Sequence, residues 1–356
     1  MRMPSWTPPP VDTQPQYSPE LLVLSQSAGE TTTEQVLDWL RHEGVRAVRL
    51  NGDDFNGTLP FALRLGGGTP DSFQVWLDGE PIDLVRLPFG WFRRWHSRSN
   101  LQYLLEGHET VEEASMGRQV FDFLTSELRE LRQVVVETFA GERGLSTPGR
   151  TGRNKLSVLQ LAAAQGLRIP ATLITNDRGH LRSFLGEHGR VVTKPIGNCM
   201  SVDLPDSNFL MFTSAVEEEL LDRLPPRFFP SLFQERVEKA YELRVFVLDG
   251  RCWSMAMFSQ RSEQTSVDFR GDYGSGTSRS VPYRLPAEVE QRVLRTMEAV
   301  KLRTGSVDLI RTPEGEYVFL EINPVGQFGM VSIPCNYYLE RHVARYLRAE
   351  CRHEQA

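Results

Sequence analysis

The sequence predicts a chain of two fold classes, α/β at its N-terminal end and α+β beyond it. Three observations carry this. Between Leu21 and Leu50 an apolar run, a helical period and a second apolar run follow one another, the order of a strand–helix–strand unit. A Gly/Pro-rich stretch at 141–152 breaks the periodic pattern and marks a domain boundary. Beyond it, short strand patterns follow one another across turn residues, as hairpins do.

The elements follow in order. Residues 1–18 contain Pro4, Pro8, Pro9, Pro10 and Pro15 and read as an extended or disordered tail. Leu21-Leu22-Val23-Leu24 is an apolar run suited to a buried parallel strand. A helix is predicted at 33–41, where Val36, Leu37 and Leu40 share a face, with Gly44 as its stop and a second strand at 45–50. Leu124, Leu128, Leu131 and Val135 recur at helical spacing within a long amphipathic helix at 111–139. Past the break, Asn154 caps a helix that ends near Gly166. Strands are expected at 171–175, 190–194, 209–213, 232–237, 243–248, 253–258, 306–310 and 317–322, and helices at 289–302 and 338–347. The resulting division is a tail (1–18), an N-terminal α/β domain (19–145), a central subdomain (146–225) and a C-terminal subdomain (226–356).

Composition narrows the function. With 356 residues the chain has material for two or three domains. Lys+Arg 40 against Asp+Glu 46 gives a net charge of −6, the wrong sign for a protein that binds nucleic acid by displacing phosphate counterions. No apolar run approaches the roughly 18 residues of a membrane span, and the N-terminus lacks an apolar signal core. Cys199, Cys252, Cys335 and Cys351 form no CxxC pair, which argues against a zinc or disulfide framework and for a reducing, cytoplasmic setting. The histidines have no HExxH spacing, and neither a Gly-x-Ser-x-Gly elbow nor a phosphate loop of the GxxxxGK[ST] form is present. Gly271, Gly274 and Gly276 lack the strand-to-helix context of a dinucleotide fingerprint.

The segment from Gly305 to Pro324 is the most informative. Pro313-Glu314-Gly315 is a turn between two strands. Glu321 and Asn323 are two apart and share a strand face, with Val318, Leu320 and Ile322 on the other. If the strands pair across the turn, Asp308 lies beside Glu321. Two carboxylates and an amide oxygen then form a hard-oxygen set suited to Mg²⁺. Read alone, they are equally three polar residues on a solvated face.

Other residues fall into order around this set. Lys194 ends a strand, and Lys155 opens a helix. Gln234, Glu235 and Val237 lie on what reads as a strand edge whose backbone would pair with an adenine. Glu242 and Arg244 share one face of an alternating strand; Arg261 follows another, and Arg270 lies in a Gly-rich stretch. The succession Lys155, Lys194, Glu235, Glu242-x-Arg244, Arg261, Asp308, Glu321-x-Asn323 resembles that of the ATP-grasp ligases from about residue 154 to 347. Three further passages resemble the ATP-grasp macrocyclases that make graspetides (microviridin- and plesiocin-type peptides): Asn323-Pro-Val-Gly326-Gln327-Phe328-Gly329, Trp91-Phe92-Arg93-Arg94-Trp95, and the run from Asn154 to Asn176.

This resemblance implies an ATP-grasp fold preceded by an α/β pre-ATP-grasp domain. It also implies ATP and Mg²⁺ as cofactors, a precursor peptide as partner, and a possible homodimer, with no nucleic acid or membrane. Substrate Asp or Glu side chains would become acyl-phosphates, then be captured by Ser/Thr hydroxyls or Lys amines. Asp308, Glu321 and Asn323 would hold Mg²⁺. Lys155 and Lys194 would meet the phosphates, and Gln234, Glu235, Val237 and Glu242 the nucleoside. Arg244 and Arg261 would neutralise phosphate, and residues 197–201 with 206–208 would cover the nucleotide. For Arg93-Arg94 two readings stand: contact with substrate or ATP, or an interdomain salt bridge anchored on the Trp91 and Trp95 rings. An alternative activity is addition of a free amino acid, as in glutathione-synthase or glutamate ligases.

Overall fold

The structure, a computed structural model, describes residues 19–27, 29–55, 59–66, 71–95, 110–146, 154–197, 201–204, 207–210, 213–258 and 279–353, with backbone alone at 201–204 and 207–210. The Pro-rich tail, Arg261 and Arg270 lie outside the described residues.

The N-terminal unit is α/β. Its parallel sheet runs Ala47–Asn51, Leu21–Ser25, Phe89–Phe92, Gly144–Leu145. Every residue of Leu21–Ser25 is buried, as a central strand covered on both faces requires. The helix Thr31–His42 joins the first two strands and buries Val36 and Leu40. Residues 61–83 also contain a three-stranded antiparallel sheet, Phe61–Arg64, Ser72–Leu77 and Glu80–Asp83, that the sequence reading did not anticipate. The long helix Val111–Thr138 begins at a capping box formed by Thr110 and Glu113 and buries Val135 and Val136 at its far end.

The central sheet is antiparallel, in the order Ser214–Ala215, Val191–Lys194, Arg227–Glu235, Thr172–Asp177. Because Arg227–Glu235 pairs with strands on both sides, we draw the central boundary after Glu235 and not at 225/226. A separate hairpin, Ser201–Leu204 with Ser207–Leu210, lies between them in sequence.

The C-terminal sheet is antiparallel and five-stranded: Arg279–Tyr283, Arg251–Phe258, Tyr241–Leu248, Thr304–Arg311, Tyr317–Asn323. One of its faces packs on the helices Lys155–Ala164 and Ala287–Ala299 through Val158, Leu159, Ala162, Val293 and Met297. The Asn154-capped helix therefore serves this sheet, although its sequence neighbours build the central one. The opposite face is polar at one end. At the other end Phe246, Met255 and Phe328 join Leu21, Val36, Trp91 and the helix Leu339–His353 in a single apolar core.

Candidate active site

The polar half of the C-terminal sheet carries the predicted metal set. Tyr241–Leu248 alternates, so Glu242 and Arg244 project together. Register places Arg244 opposite Asp308, and Asp308 opposite Glu321. Ser306 is opposite Asn323, one step along the same face. The pairing inferred from the turn is thus present, and Asp308, Glu321, Asn323 and Arg244 share a face. The expected alternation fails at one point. The register shifts between Asp308 and Leu309, because Leu309 pairs with Phe319 and leaves Leu320 unmatched. This bulge sends Phe319 and Ile322 into the core while Leu320 stays half-buried. Of Val318, Leu320 and Ile322, the residues expected inward, only Ile322 lines that core; Phe319 takes the place of Leu320, and Val318, though buried, pairs with Ile310 on the face of Asp308.

The electrostatics of the row are tight. One nitrogen of Arg244, Nη1, donates to both Asp308 oxygens at 2.7 and 2.6 Å, with both residues buried. The Nε of Arg244 is buried, with no hydrogen-bond partner among the described residues. Asp308 is pushed up to about 6, chiefly by burial; nearby Glu321 and Glu242 add to this, and Arg244 opposes it. Lys155, at the first position of its helix, lies 3.4 Å from Glu321, and Lys239 donates to Glu242 at 2.6 Å. Among the described residues no three His, Cys, Asp or Glu side chains group as metal ligands. Asn323 Oδ1 accepts from the Val325 N–H at 3.2 Å.

The rest of the predicted set sits in the central sheet. Lys194 ends its strand, half-buried, opposite Leu232. Gln234 requires a correction. Its strand is not an edge: it is paired on both sides, and the buried Gln234 amide donates to Thr172 Oγ1 at 2.9 Å. The chain leaves the sheet just after, once Glu235 N–H has met the Ala171 carbonyl and Arg236 N–H that of Arg190. Val237 is the next residue, half-buried. The Glu235 carboxylate is engaged by Arg168 at 3.1 Å and by the Ala171 N–H at 3.2 Å.

Sequence reasoning missed Lys239 and Arg168. Arg168 pairs with Glu316 beside the hairpin turn as well as with Glu235, and its carbonyl accepts from Phe319 N–H at 2.8 Å, at the bulge. Arg168 lies within the 154–176 run but was given no role there, and no motif marks Lys239; their partners reveal them, Glu235 and Glu316 for Arg168 and Glu242 for Lys239. The interdomain salt bridge expected of Arg93-Arg94 does not hold: both arginines pair with Glu30 of their own domain, and Arg93 crosses to the C-terminal unit by hydrogen bonds and not by an ion pair. Its guanidinium bonds the Val325 and Gly326 carbonyls and lies 5.6 Å from the Trp91 ring centre. Trp95 instead packs under Arg132 and against Phe55, and Arg94 meets Glu30 at 3.3 Å.

In chemical terms the face offers hard oxygens to a cation beside a buried guanidinium and a lysine for an anion. Phosphoryl groups with a divalent metal combine those two requirements.

No family model matches the chain. A curated relative from Xylella fastidiosa (strain M12), named a probable alpha-L-glutamate ligase, is 31% identical over 179 residues, 48% of this chain. The chain spans about half, 55%, of that relative's length. Among solved structures, a RiPP-associated ATP-grasp ligase of Chryseobacterium gregarium, in complex with ADP and a leader and core peptide, is similar with a TM-score of 0.83 and 22% identity. That match covers 93% of this chain and 97% of the other. The macrocyclase MdnC of Microcystis aeruginosa MRC, bound with precursor peptide MdnA, is similar at 26% identity and a TM-score of 0.75, over 92% of this chain and 99% of MdnC. Along nearly its whole length the chain has the fold of these ATP-grasp structures, a RiPP-associated ligase and a macrocyclase, and is similar to them.

Proposed function

We propose that the chain is an ADP-forming, ATP- and Mg²⁺-dependent macrocyclase. It activates Asp or Glu side chains of a ribosomally made precursor peptide and joins them to Ser/Thr hydroxyls as esters or to Lys amines as amides. The observation that carries this reading is the cross-strand row Arg244–Asp308–Glu321, flanked by Asn323 and Lys155, in a chain that matches MdnC almost end to end.

The donor set suits magnesium: hard oxygens only, with Asp308 crowded by Glu321 and Glu242 in a buried position. Magnesium, when bound, supplies charge neutralisation at the phosphates. Asp308, Glu321 and Asn323 hold it. Lys155 and Lys194 meet phosphate oxygens, and the Nε of Arg244, unpartnered among the described residues, gives a directed bond to the phosphate or the acyl-phosphate. Arg261 is assigned the same task, Glu235 and Val237 offer backbone to the adenine, and Glu242 accepts from the ribose. The substrate carboxylate attacks the γ-phosphorus and ADP leaves. The hydroxyl or amine then attacks the acyl carbon and inorganic phosphate leaves, so each ring costs the peptide one water. Residues 197–201 and 206–208, of which 198–200 and 206 lie outside the described residues, would cover the acyl-phosphate against water. A homodimer working in the cytoplasm completes the proposal. Among the described residues no helix is long and apolar enough to cross a membrane.

The test is mass spectrometry of the peptide encoded beside this gene after incubation with enzyme, ATP and Mg²⁺. Loss of one water per ring supports the proposal; an unchanged peptide mass overturns it. The similarity to a probable glutamate ligase favours one second reading, addition of a free amino acid. ADP release driven by amino acids without peptide would select that reading.

A further inference from the structure

The turn that follows the metal strand is held from two sides. On one side Asn323 holds it: its Oδ1 accepts from Val325 N–H at 3.2 Å and its carbonyl from Gly326 N–H at 3.1 Å. The orientation of the Asn323 amide and the shape of the turn are therefore one property. On the other side stands Arg93, which belongs to the N-terminal domain. Its Nη1 donates to the carbonyls of the same two residues, Val325 and Gly326, the latter at 2.9 Å. Its Nη2 donates to Thr32 Oγ1 at 3.1 Å and reaches Glu30 at 3.5 Å, and its own N–H bonds the Leu24 carbonyl at 2.8 Å. The guanidinium lies 5.1 Å from the Phe328 ring centre. The turn cannot retreat from this grip. Gly326 has φ +62°, and a Cβ there would stand 3.3 Å from the Phe246 ring and 3.5 Å from the Gly305 backbone.

Simple adhesion between domains does not explain an arginine at this place. A buried cation is costly, and apolar residues of similar size hold an interface as well or better. An arginine adds directed donors fixed in a plane, here aimed at the two carbonyls whose N–H groups Asn323 holds.

We propose that Arg93 is a positioning residue for the Asn323 oxygen, so that the N-terminal domain sets the affinity of the C-terminal sheet for Mg²⁺. This rests on the reading of Asp308, Glu321 and Asn323 as the magnesium ligands. Arg93 touches neither metal nor nucleotide; it acts through the 323–326 turn. Groups bonded directly to metal ligands typically affect affinity by about 10–100-fold, and Arg93, one bond further out, falls toward the lower end.

The experiment titrates Mg²⁺, and Mn²⁺ followed by electron paramagnetic resonance, into protein saturated with AMPPNP. Wild type, Arg93→Lys, Asn323→Ala and the double variant are compared, with thermal unfolding as a check on fold. Arg93→Lys should unfold cooperatively, bind metal-free nucleotide within about twofold of wild type, and bind metal about tenfold more weakly. In the Asn323→Ala background it should have no further effect on metal binding. Equal metal affinity in wild type and a folded Arg93→Lys overturns the inference and leaves the magnesium reading intact. The same loss with and without Asn323 also overturns it, because the effect would then bypass that ligand. If Arg93→Lys does not fold, Thr32→Val, which removes one anchor of Nη2, should give the same pattern at smaller amplitude, and unchanged metal affinity there overturns the inference. A wild-type protein that binds no metal overturns both this inference and the reading beneath it.

Discussion

Asp308 is ionisable, buried and surrounded by charge of both signs, and its position sets how the site responds to pH. Burial and two neighbouring carboxylates raise it from an ordinary 3.8 to about 6. The native protein therefore binds more protons here than the unfolded chain between those values. In the metal-free protein, the contribution of this group falls as pH rises from about 4 through about 6 and stays low above that. A divalent cation needs the ionised form, so metal affinity runs the other way. It should weaken by roughly tenfold per pH unit below about 6 and level off above it. A Mg²⁺ titration on both sides of pH 6 checks this, and a flat profile would remove Asp308 from the ligand set. Glu321 is partly exposed and paired with Lys155. Glu321→Ala should change stability by no more than about 1 kcal/mol while lowering turnover at least a hundredfold. Retained turnover would take Glu321 out of the site. These residues were legible because each sits on a strand whose alternation fixes its face. Arg168 and Lys239 were not, because their roles come from partners distant in sequence or across a turn.

At the scale of elements, the hairpin of Thr304–Arg311 and Tyr317–Asn323 was legible through its Pro-Glu-Gly turn, and the bulge within it was not. Strict alternation assigns Leu320 to the core, but the extra residue puts Phe319 there, fully buried. The difference arises in tertiary structure: Phe319 N–H is drawn to the carbonyl of Arg168 from another segment, which no local pattern announces. Phe319→Ala should cost about 3–5 kcal/mol in urea unfolding. It should also weaken Mg²⁺ binding, because the bulge aims Glu321. Metal affinity held at the wild-type value in a folded variant would separate the bulge from the site. The sheet at residues 61–83 escaped notice for a related reason. Phe73 and Val75 alternate correctly, yet Pro81 and the glycines around them read as loop.

Across the whole molecule, the expected domain boundaries do not coincide with the cores. Leu21, Val23, Val36, Phe89 and Trp91 share one cluster with Phe246, Met255, Val331, Leu339 and Val343. Arg303 adds bonds from the C-terminal sheet to the carbonyls of Glu142 and Gly144. The central subdomain has its own small core, built on Leu181, Phe184, Val191, Val216, Leu221 and Phe233. Calorimetry should therefore show the N- and C-terminal units unfolding together, with any separate transition belonging to the central one. Independent melting of the N-terminal unit would contradict this. The contact is close enough that a methyl at Gly329 would stand 2.5 Å from the Thr32 side chain, so Gly329→Ala should destabilise the pair by about 1–3 kcal/mol, measurable as a fall in that joint transition.

A common core between the two ends also restricts how such proteins can be recombined. Transplanting only the first hundred or so residues from a relative would pair two surfaces never selected for each other. A workable hybrid must exchange the closing helices and the 323–329 turn along with them, and the part that can be replaced alone is the central sheet with its own small core, residues 172–235, without the helix Lys155–Ala164.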